Sequence, residues 1–156
     1  MTLPLTDQQR QELAEFTRTQ AHKVMSKIPL LGAVAWLMLQ QPSTRHTLLS
    51  ELEWRVMPAL VVDQAKLYLR DDAPLAYVSW ARLSDGATER YKAPPHHLAS
   101  GDWKSGEDNW IVDLITPFGG GADIVSELRN TVFKGQTLSQ FSIGVDGKLS
   151  AITWPA

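Results

Sequence analysis

One aspartate stands out among the residues of this sequence that could do chemistry. Asp113 interrupts the apolar run Trp-Ile-Val-Asp-Leu-Ile at positions 110–115, whose composition predicts a strand. A carboxylate buried in such a strand needs a partner, so Asp113 either forms an ion pair or points into a cleft. On a strand with one exposed face, an aspartate has no special meaning, and that interpretation is also open.

Histidine is the side chain best suited to general-base chemistry near neutral pH, and the sequence has four. His22 falls in a helix with polar faces, where we expect solvent contact. His96 and His97 point to opposite sides of an extended segment and lack a third ligand at metal spacing, so no metal site is expected. His46 follows Arg45 near the start of a predicted helix, where a capping or surface role is more common than catalysis.

A run of three glycines, Gly119, Gly120 and Gly121, separates the strand of Asp113 from a predicted helix. Glycines allow close approach of a ligand to the backbone, and unpaired N–H groups at a helix N-terminus attract anions. A strand-to-helix turn without a ligand gives the same pattern, and Asp123 near the helix start would repel a phosphate.

Composition excludes several other functions. The 156 residues carry a formal charge of −2, which disfavours nucleic acid as a partner, and the lack of cysteine excludes thiolate chemistry and disulfides. No nucleophile elbow, phosphate-binding Walker loop, dinucleotide fingerprint or zinc-protease motif is present. The first six residues do not read as a signal peptide, and the most apolar stretch, 28–39, is shorter than the roughly 20 residues of a membrane span.

Hydrophobic periodicity predicts three helices followed by strands. A capping box at Thr6 and Gln9 starts a helix over 7–27 that Pro29 interrupts, and an apolar helix follows over 30–39. A third helix begins at Ser43 or Thr44 and ends before Pro58. Strands are then expected over 64–70, 75–83, 88–92 and 110–116, with a long loop over 93–109, a helix from 124 to Gly135 and a hairpin over 138–154. This order predicts an α/β or α+β fold in a single domain.

Several segments together resemble the RTX toxin-activating lysine acyltransferases, the haemolysin-activating family. They are Leu-Gly-Ala-Val-Ala-Trp-Leu at 31–37, Val-Met-Pro-Ala at 56–59, Leu-Arg-Asp at 69–71, Pro-Leu-Ala-Tyr at 74–77, Ser-Trp-Ala at 79–81, Asp-Trp-Lys-Ser-Gly at 102–106, and Trp-Ile-Val-Asp at 110–113 with Pro-Phe-Gly at 117–119. They follow the family's order across 31–133, between an N-terminal helix over 1–28 and the hairpin over 138–154.

The resemblance implies a GNAT-like acyltransferase fold, with a mostly antiparallel mixed sheet flanked by helices. It implies a cytoplasmic enzyme that activates an RTX protoxin by acylating internal lysines, with acyl carrier protein as the donor in place of acyl-CoA. No bound cofactor, metal, nucleic acid or transmembrane segment is expected, and a homodimer is the assembly we consider.

The resemblance also assigns residues, with one departure. The family's catalytic aspartate corresponds to Asp113, but its catalytic histidine corresponds to Thr44. Threonine cannot serve as a base near pH 7, so we expect His46, two residues on, to be the base and Asp113 to orient it. Candidate carrier- or substrate-binding residues are Arg45, Ser79, Trp80, Gly119, Gly120 and Gly121, and an exposed basic dock for the acidic carrier would include Arg45, Arg55 and Lys104.

Two other functions remain open at this point. The chain could be a catalytically weakened or inactive member that binds carrier or toxin, because Thr44 replaces the histidine. It could also be a GNAT-type N-acyltransferase of small molecules that uses acyl-CoA.

Overall fold

The computed structural model describes residues 3–156, which form one five-stranded sheet with helices on its faces. The elements are α1 (Asp7–Gln40), a 3-10 turn (Leu49–Glu51), α2 (Leu52–Arg55), α3 (Met57–Val61), β1 (Ala65–Arg70), β2 (Ala73–Leu83), α4 (Asp85–Lys92), β3 (Asp108–Ile115), α5 (Gly121–Asn130), β4 (Leu138–Ile143) and β5 (Leu149–Trp154). The strand order is β1-β2-β3-β4-β5, and only β3 and β4 pair in parallel. The predicted mixed α/β class, with a mostly antiparallel GNAT-like sheet, is confirmed.

Helix α1 runs through the position where a break was predicted. The capping box at its start is present, because the Thr6 hydroxyl accepts from the Gln9 amide at 3.1 Å and the Gln9 side chain accepts from the Thr6 amide at 2.9 Å. The predicted stop at Pro29 is wrong, since Pro29 lies inside the helix. Its ring removes one backbone donor, but the following turns bury Val34 and Leu37 completely, and this packing holds the helical path across it.

Two other expectations are corrected by local capping and turn chemistry. Residues 43–48 form turns rather than the start of a third helix, and helical structure begins only at Leu49. The strand predicted over 88–92 is instead the second half of α4. Its cap is Ser84, whose hydroxyl accepts from the Ala87 amide at 3.2 Å, and Tyr91 follows Ala87 on the same buried helix face.

The central strands β2 and β3 are buried on both faces of the sheet. Helix α5 packs on one face, where its residues Ile124, Val125 and Leu128 join a cluster with Val78 and Trp80 of β2. On the other face, α1 and the helices α2 and α3 pack against Tyr77 and Ile115, and α4 packs nearby with the loop over 93–107. The expected long loop and the closing hairpin, β4 with β5, are confirmed. The odd-numbered residues of β2 therefore face the layer formed by helices α1 to α4.

Two leucines near the end of α1 test this packing. Leu37 is completely buried, whereas Leu39 is 55% exposed. We expect Leu37→Ala to lower the free energy of unfolding by about 2 to 5 kcal/mol because it leaves a cavity, and Leu39→Ala to change it by less than about 0.5 kcal/mol. Urea unfolding followed by tryptophan fluorescence measures both. Equal effects would show that this end of α1 does not pack as described.

Candidate active site

A bulge in β3 sets the direction of Asp113. Ser79 of β2 pairs with Asp113 and the next residue, Trp80, pairs with Ile111, so Val112 has no partner of its own. Bulges of this kind re-aim side chains and are frequent beside active sites. Here the extra residue places Asp113 directly opposite Ser79, and the Asp113 amide donates to the Ser79 hydroxyl at 3.2 Å. The Asp113 side chain consequently faces the helical layer.

The partner of Asp113 is Arg55, the last residue of α2. Arg55 Nη2 donates to Oδ1 at 2.7 Å and Nε donates to Oδ1 and Oδ2 at 2.9 Å each, while Asp113 is only 4% exposed. Burial raises the pKa of the Asp113 carboxyl, and the Arg55 guanidinium opposes this rise. Burial acts to lower the pKa of Arg55, but the hydrogen bonds and charge of Asp113 outweigh it and the pKa is raised. The predicted need for a partner is therefore met by an arginine.

This pairing corrects one expectation and leaves another unmet. Arg55 is not part of an exposed basic dock, because its side chain is 24% exposed and holds a buried carboxylate. His46 is exposed, and no hydrogen bond or ion pair joins it to Asp113 within residues 3–156. The expected His46–Asp113 hydrogen bond is thus absent from this structure, and the catalytic roles of both residues stay predictions.

Thr44, at the position of the family's histidine, has a structural role. It is 5% exposed, and its hydroxyl donates to the carbonyl oxygen of Met38 at 2.7 Å, one of the unpaired carbonyls at the end of α1. Gln41 ties the same turn to the sheet, since its Oε1 accepts from the Thr116 amide at 3.0 Å. Thr44 also lines an apolar cavity of about 210 Å³ with Ala35, Met38, Leu39, Arg45, Thr47, Leu49 and Leu52.

The other candidate residues divide between the site and the core. Ser79 is completely buried beside Asp113, whereas Trp80 lies on the opposite face and packs edge-on against Phe133 at 5.8 Å between ring centroids. Gly119 and Gly120 both have positive φ, and Gly120 is the N-cap of α5. Glycine is required there because the left-handed region is strained for other residues.

Tyr77 and a group of three side chains around Glu51 were not among the predicted site residues. The Tyr77 hydroxyl is buried without a hydrogen-bond partner in the described part of the chain, and burial, then the charge of Asp113, raises its pKa. Glu51, Trp54 and His97 form a second group: Glu51 Oε2 accepts from Trp54 Nε1 at 2.6 Å and lies 3.5 Å from His97 Nε2. The helical spacing of Glu51, Trp54 and Arg55 was visible in the sequence, but nothing in it joined them to His97.

Asp102 anchors the loop that carries His97. Its carboxylate accepts from Arg90 Nη2 at 2.8 Å and Nη1 at 3.1 Å, and from the Ala99 amide at 2.8 Å. Burial acts to raise the pKa of Asp102, but these hydrogen bonds outweigh it, so the pKa lies below the ordinary value.

We expect Asp102→Asn to lower the free energy of unfolding by about 1 to 2 kcal/mol at pH 7. Because the folded-state pKa is depressed, this contribution is complete above the unfolded pKa of about 3.9 and is lost as pH falls through the folded value. Urea unfolding at pH 7 and below pH 3 should show the difference between wild type and variant shrinking. A difference that is the same at both values would contradict the ionic role.

Removal of Arg55 should lower the free energy of unfolding, because the Asp113 carboxylate would stay buried without a counter-ion. We expect Arg55→Met to destabilise the fold by about 3 to 5 kcal/mol, because it leaves a buried carboxylate uncompensated. The double variant Arg55→Met/Asp113→Leu should recover part of that loss. A double-mutant cycle with urea unfolding measures the coupling, and strictly additive effects would mean that the two residues do not interact.

Residues 3–156 contain neither a metal-binding cluster nor a helix that could span a membrane. No three histidine or acidic side chains lie close enough together to hold a metal ion. No helix in this range is long and apolar enough to cross a membrane.

Comparison with known proteins finds similarity to RTX toxin-activating lysine acyltransferases. The profile described as "HlyC: RTX toxin acyltransferase family" matches residues 23–153. RTX-I toxin-activating lysine-acyltransferase ApxIC of Actinobacillus pleuropneumoniae is 32% identical over 131 residues, covering 84% of this chain and 76% of the relative. RTX-II toxin-activating lysine-acyltransferase ApxIIC of the same organism is 37% identical over 100 residues, covering 64% and 62%.

A third relative, protein-lysine myristoyltransferase HlyC of Escherichia coli, is 36% identical over 102 residues, which cover 65% of this chain and 60% of the relative. The chain thus spans about three fifths of the length of two of these three relatives. The profile covers most of the sequence, and the predicted resemblance is confirmed: the chain belongs to the RTX toxin acyltransferase family.

Proposed function

We propose that this protein is a lysine acyltransferase that transfers a fatty acyl group from acyl carrier protein to internal lysines of an RTX protoxin. The observation that carries the proposal is the buried Asp113–Arg55 pair at the β3 bulge, at the position that the resemblance gives to the family's aspartate. The names of the relatives, toxin-activating lysine acyltransferases and a protein-lysine myristoyltransferase, support the reaction class.

The reaction joins a lysine amine to a thioester carbonyl. Lysine has an ordinary pKa of about 10.4, so a base must take a proton before the nitrogen attacks. Attack places negative charge on the carbonyl oxygen, and a fixed cation is suited to stabilise it. Arg55 fits this role, because Asp113 occupies its Nε and Nη2 and no protein acceptor in the described chain occupies Nη1. In this proposal Asp113 is the positioning residue that holds the guanidinium.

The apolar cavity beside Thr44 supports a fatty acyl donor. It is lined mainly by aliphatic side chains of α1 and of the segment around Leu49 and Leu52. Arg45 lies at the same cavity and is exposed, which suits contact with the acidic carrier. In this proposal part of the acyl chain occupies the cavity.

The phosphopantetheine end of the acyl donor would lie at the three glycines 119–121 before α5. Gly120 caps α5 without a side chain, which leaves backbone N–H groups of the first turn available to a phosphate or a carbonyl oxygen. Strands β3 and β4 pair only over 109–111 of β3, so Asp113 lies beyond the paired part and the phosphopantetheine arm could pass beside it. Asp123 in the first turn of α5 opposes anion binding.

We also propose a location and an assembly for this protein. The reaction with acyl carrier protein and a protoxin before export requires a cytoplasmic enzyme, and a homodimer is the proposed assembly. No bound cofactor is proposed, since the donor brings its own phosphopantetheine thioester.

A second function is favoured by one specific observation. The family's histidine position is occupied by Thr44, which is buried and hydrogen-bonded to Met38, so it offers no base. A member that binds carrier or toxin without turnover fits this feature. Incubation with acyl-loaded carrier protein and a protoxin, followed by mass spectrometry of acylated lysines, separates the two functions, and exchange of the donor for acyl-CoA tests the small-molecule alternative.

Asp113→Asn tests the site directly. We expect loss of acyl transfer on the order of 10⁴-fold, because the variant no longer fixes the catalytic group that it contacts. Asp72→Asn, in the exposed turn between β1 and β2, is the matched control and should keep full activity. Circular dichroism checks the fold, and near-full activity of a folded Asp113→Asn protein would refute this site.

Charge reversal tests the carrier dock at Arg45. We expect Arg45→Glu to weaken carrier binding at low salt and to have little effect at high salt, since the screening length is about 10 Å at 0.1 M and about 3 Å at 1 M. Arg18→Glu, on the exposed part of α1, is the control with the same change of charge. Titration calorimetry at two salt concentrations measures both variants. Equal weakening by both would indicate a non-local charge effect.

A further inference from the structure

His97 is held in a defined orientation by two neighbours from the helical segment before α3. Its Nε2 lies 3.5 Å from Glu51 Oε2, and its ring stacks on the indole of Trp54 with 4.4 Å between centroids and an interplanar angle of 25°. Glu51 is itself fixed by the 2.6 Å hydrogen bond from Trp54 Nε1. The carboxylate and the indole together set both the plane and the rotation of the imidazole.

We propose that His97 is the general base that accepts the proton of the target lysine, with Glu51 as its orienting carboxylate. This inference rests on the proposed function. The carboxylate beside Nε2 favours the neutral tautomer with its hydrogen on Nε2, which leaves the lone pair on Nδ1. Nδ1 has no hydrogen-bond partner in residues 3–156, and the His97 side chain is 43% exposed, so a substrate amine can reach it. A 3.5 Å separation is typical of catalytic pairs before substrate binds.

The group lies next to the Arg55–Asp113 pair. Glu51 and Arg55 are four residues apart in continuous helical structure, which places them on one face, and the charges of Glu51 and Asp113 both act on Arg55. The charged group in contact with His97 is Glu51, and Glu51 in turn acts on Arg55, which holds Asp113 and lies near Tyr91. Negative and positive side chains alternate from Glu51 through Arg55 to Asp113.

A cavity beside the same tryptophan suits the side chain of the acceptor. It has a volume of about 330 Å³ and is lined by Ser50, Glu53, Trp54, Pro58, Leu98, Ala99 and Ser100. The apolar members match the methylene stem of lysine, and Glu53 with the face of Trp54 suits an ammonium group. This mixture of carboxylate, indole and aliphatic surface favours a lysine-bearing peptide over an acyl chain.

The proposed reaction needs only two reactants, the lysine side chain and the acyl thioester. His97 Nδ1 takes one proton from the lysine ammonium, and the freed Nζ lone pair forms the N–C bond to the thioester carbonyl carbon. The tetrahedral oxyanion then collapses and breaks the C–S bond. The thiolate leaves and the amide nitrogen loses its second proton, which neutralises the thiolate, while the proton on His97 passes to solvent.

The test measures kcat/KM against pH for transfer from acyl-loaded carrier protein to a lysine peptide of the protoxin. We expect His97→Ala to lower kcat/KM by about 10² to 10⁴-fold, with partial restoration by added imidazole. Glu51→Gln should cause a smaller loss, measured as a lower kcat at an unchanged KM, because the carboxylate no longer orients the imidazole. His22→Ala, on the exposed part of α1, is the control and should match wild type.

The outcomes separate this inference from the proposed function. A wild-type protein that transfers no acyl group overturns the proposed function and the role of His97 with it. Active wild type with an equally active His97→Ala variant, or activity lost only in His46→Ala, overturns the role of His97 alone. His97→Gln, which keeps a polar side chain against Trp54, replaces His97→Ala if circular dichroism shows that the alanine variant unfolds, and it should be equally inactive. An unchanged kcat in Glu51→Gln also contradicts the proposal.

Discussion

The buried ion pair between Arg55 and Asp113 is the constraint on which the arrangement of the site depends. A carboxylate that is 4% exposed cannot remain charged without a counter-ion, and a guanidinium fork supplies three short hydrogen bonds to it. The pair therefore fixes the end of α2 against the middle of β3. Trp54 lies in α2 itself, and Glu51 ends the 3-10 turn just before it. The loop that carries His97 stacks on Trp54, so its position depends on the same contact.

The ion pair also explains why the bulge in β3 is needed. If β3 alternated regularly from Ile111, which lies in the cluster under α5, the side chain at position 113 would face that same apolar cluster. A carboxylate there would point away from Arg55. The bulge and Arg55 are thus parts of one solution, and a change to either one would leave a buried charge without compensation.

Much of the fold could be predicted from local sequence. Several elements are specified by neighbouring residues alone. The signals are the alternating apolar residues over 65–70, the apolar run over 75–83, the capping box at Thr6 and the Asp146-Gly147 turn. The errors came where tertiary packing opposed a local signal. Pro29 carries a strong helix-breaking signal, but burial of Val34 and Leu37 outweighs the loss of one hydrogen bond. At 88–92, β-branched and aromatic residues suggested a strand, although Ser84 capped a helix.

The site was harder to predict, because its partners are far apart in the chain. Asp113 is recognisable as a polar residue in an apolar run, but its partner lies 58 residues earlier, and no local pattern favours Arg55 over His46 as that partner. For His97, the lack of a third metal ligand argues only against a zinc site and does not bear on a base with one carboxylate. The contacts of Glu51 and Trp54 with His97 form only in the folded chain, where the loop over 93–107 packs against them.

Thr44 and His97 together indicate how, under the proposed mechanism, a site of this kind could change its base while keeping its buried ion pair. A hydroxyl at position 44 satisfies a carbonyl at the end of α1, and this stabilises the turn without offering a titratable group. His97 on the loop stacks on an indole and faces a carboxylate, and we propose that it supplies that group. The Arg55–Asp113 pair is compatible with either base, because in the described residues Asp113 binds the guanidinium and no imidazole. In the proposed mechanism the aspartate holds the guanidinium that stabilises the oxyanion, so the base can come from a different segment of the chain.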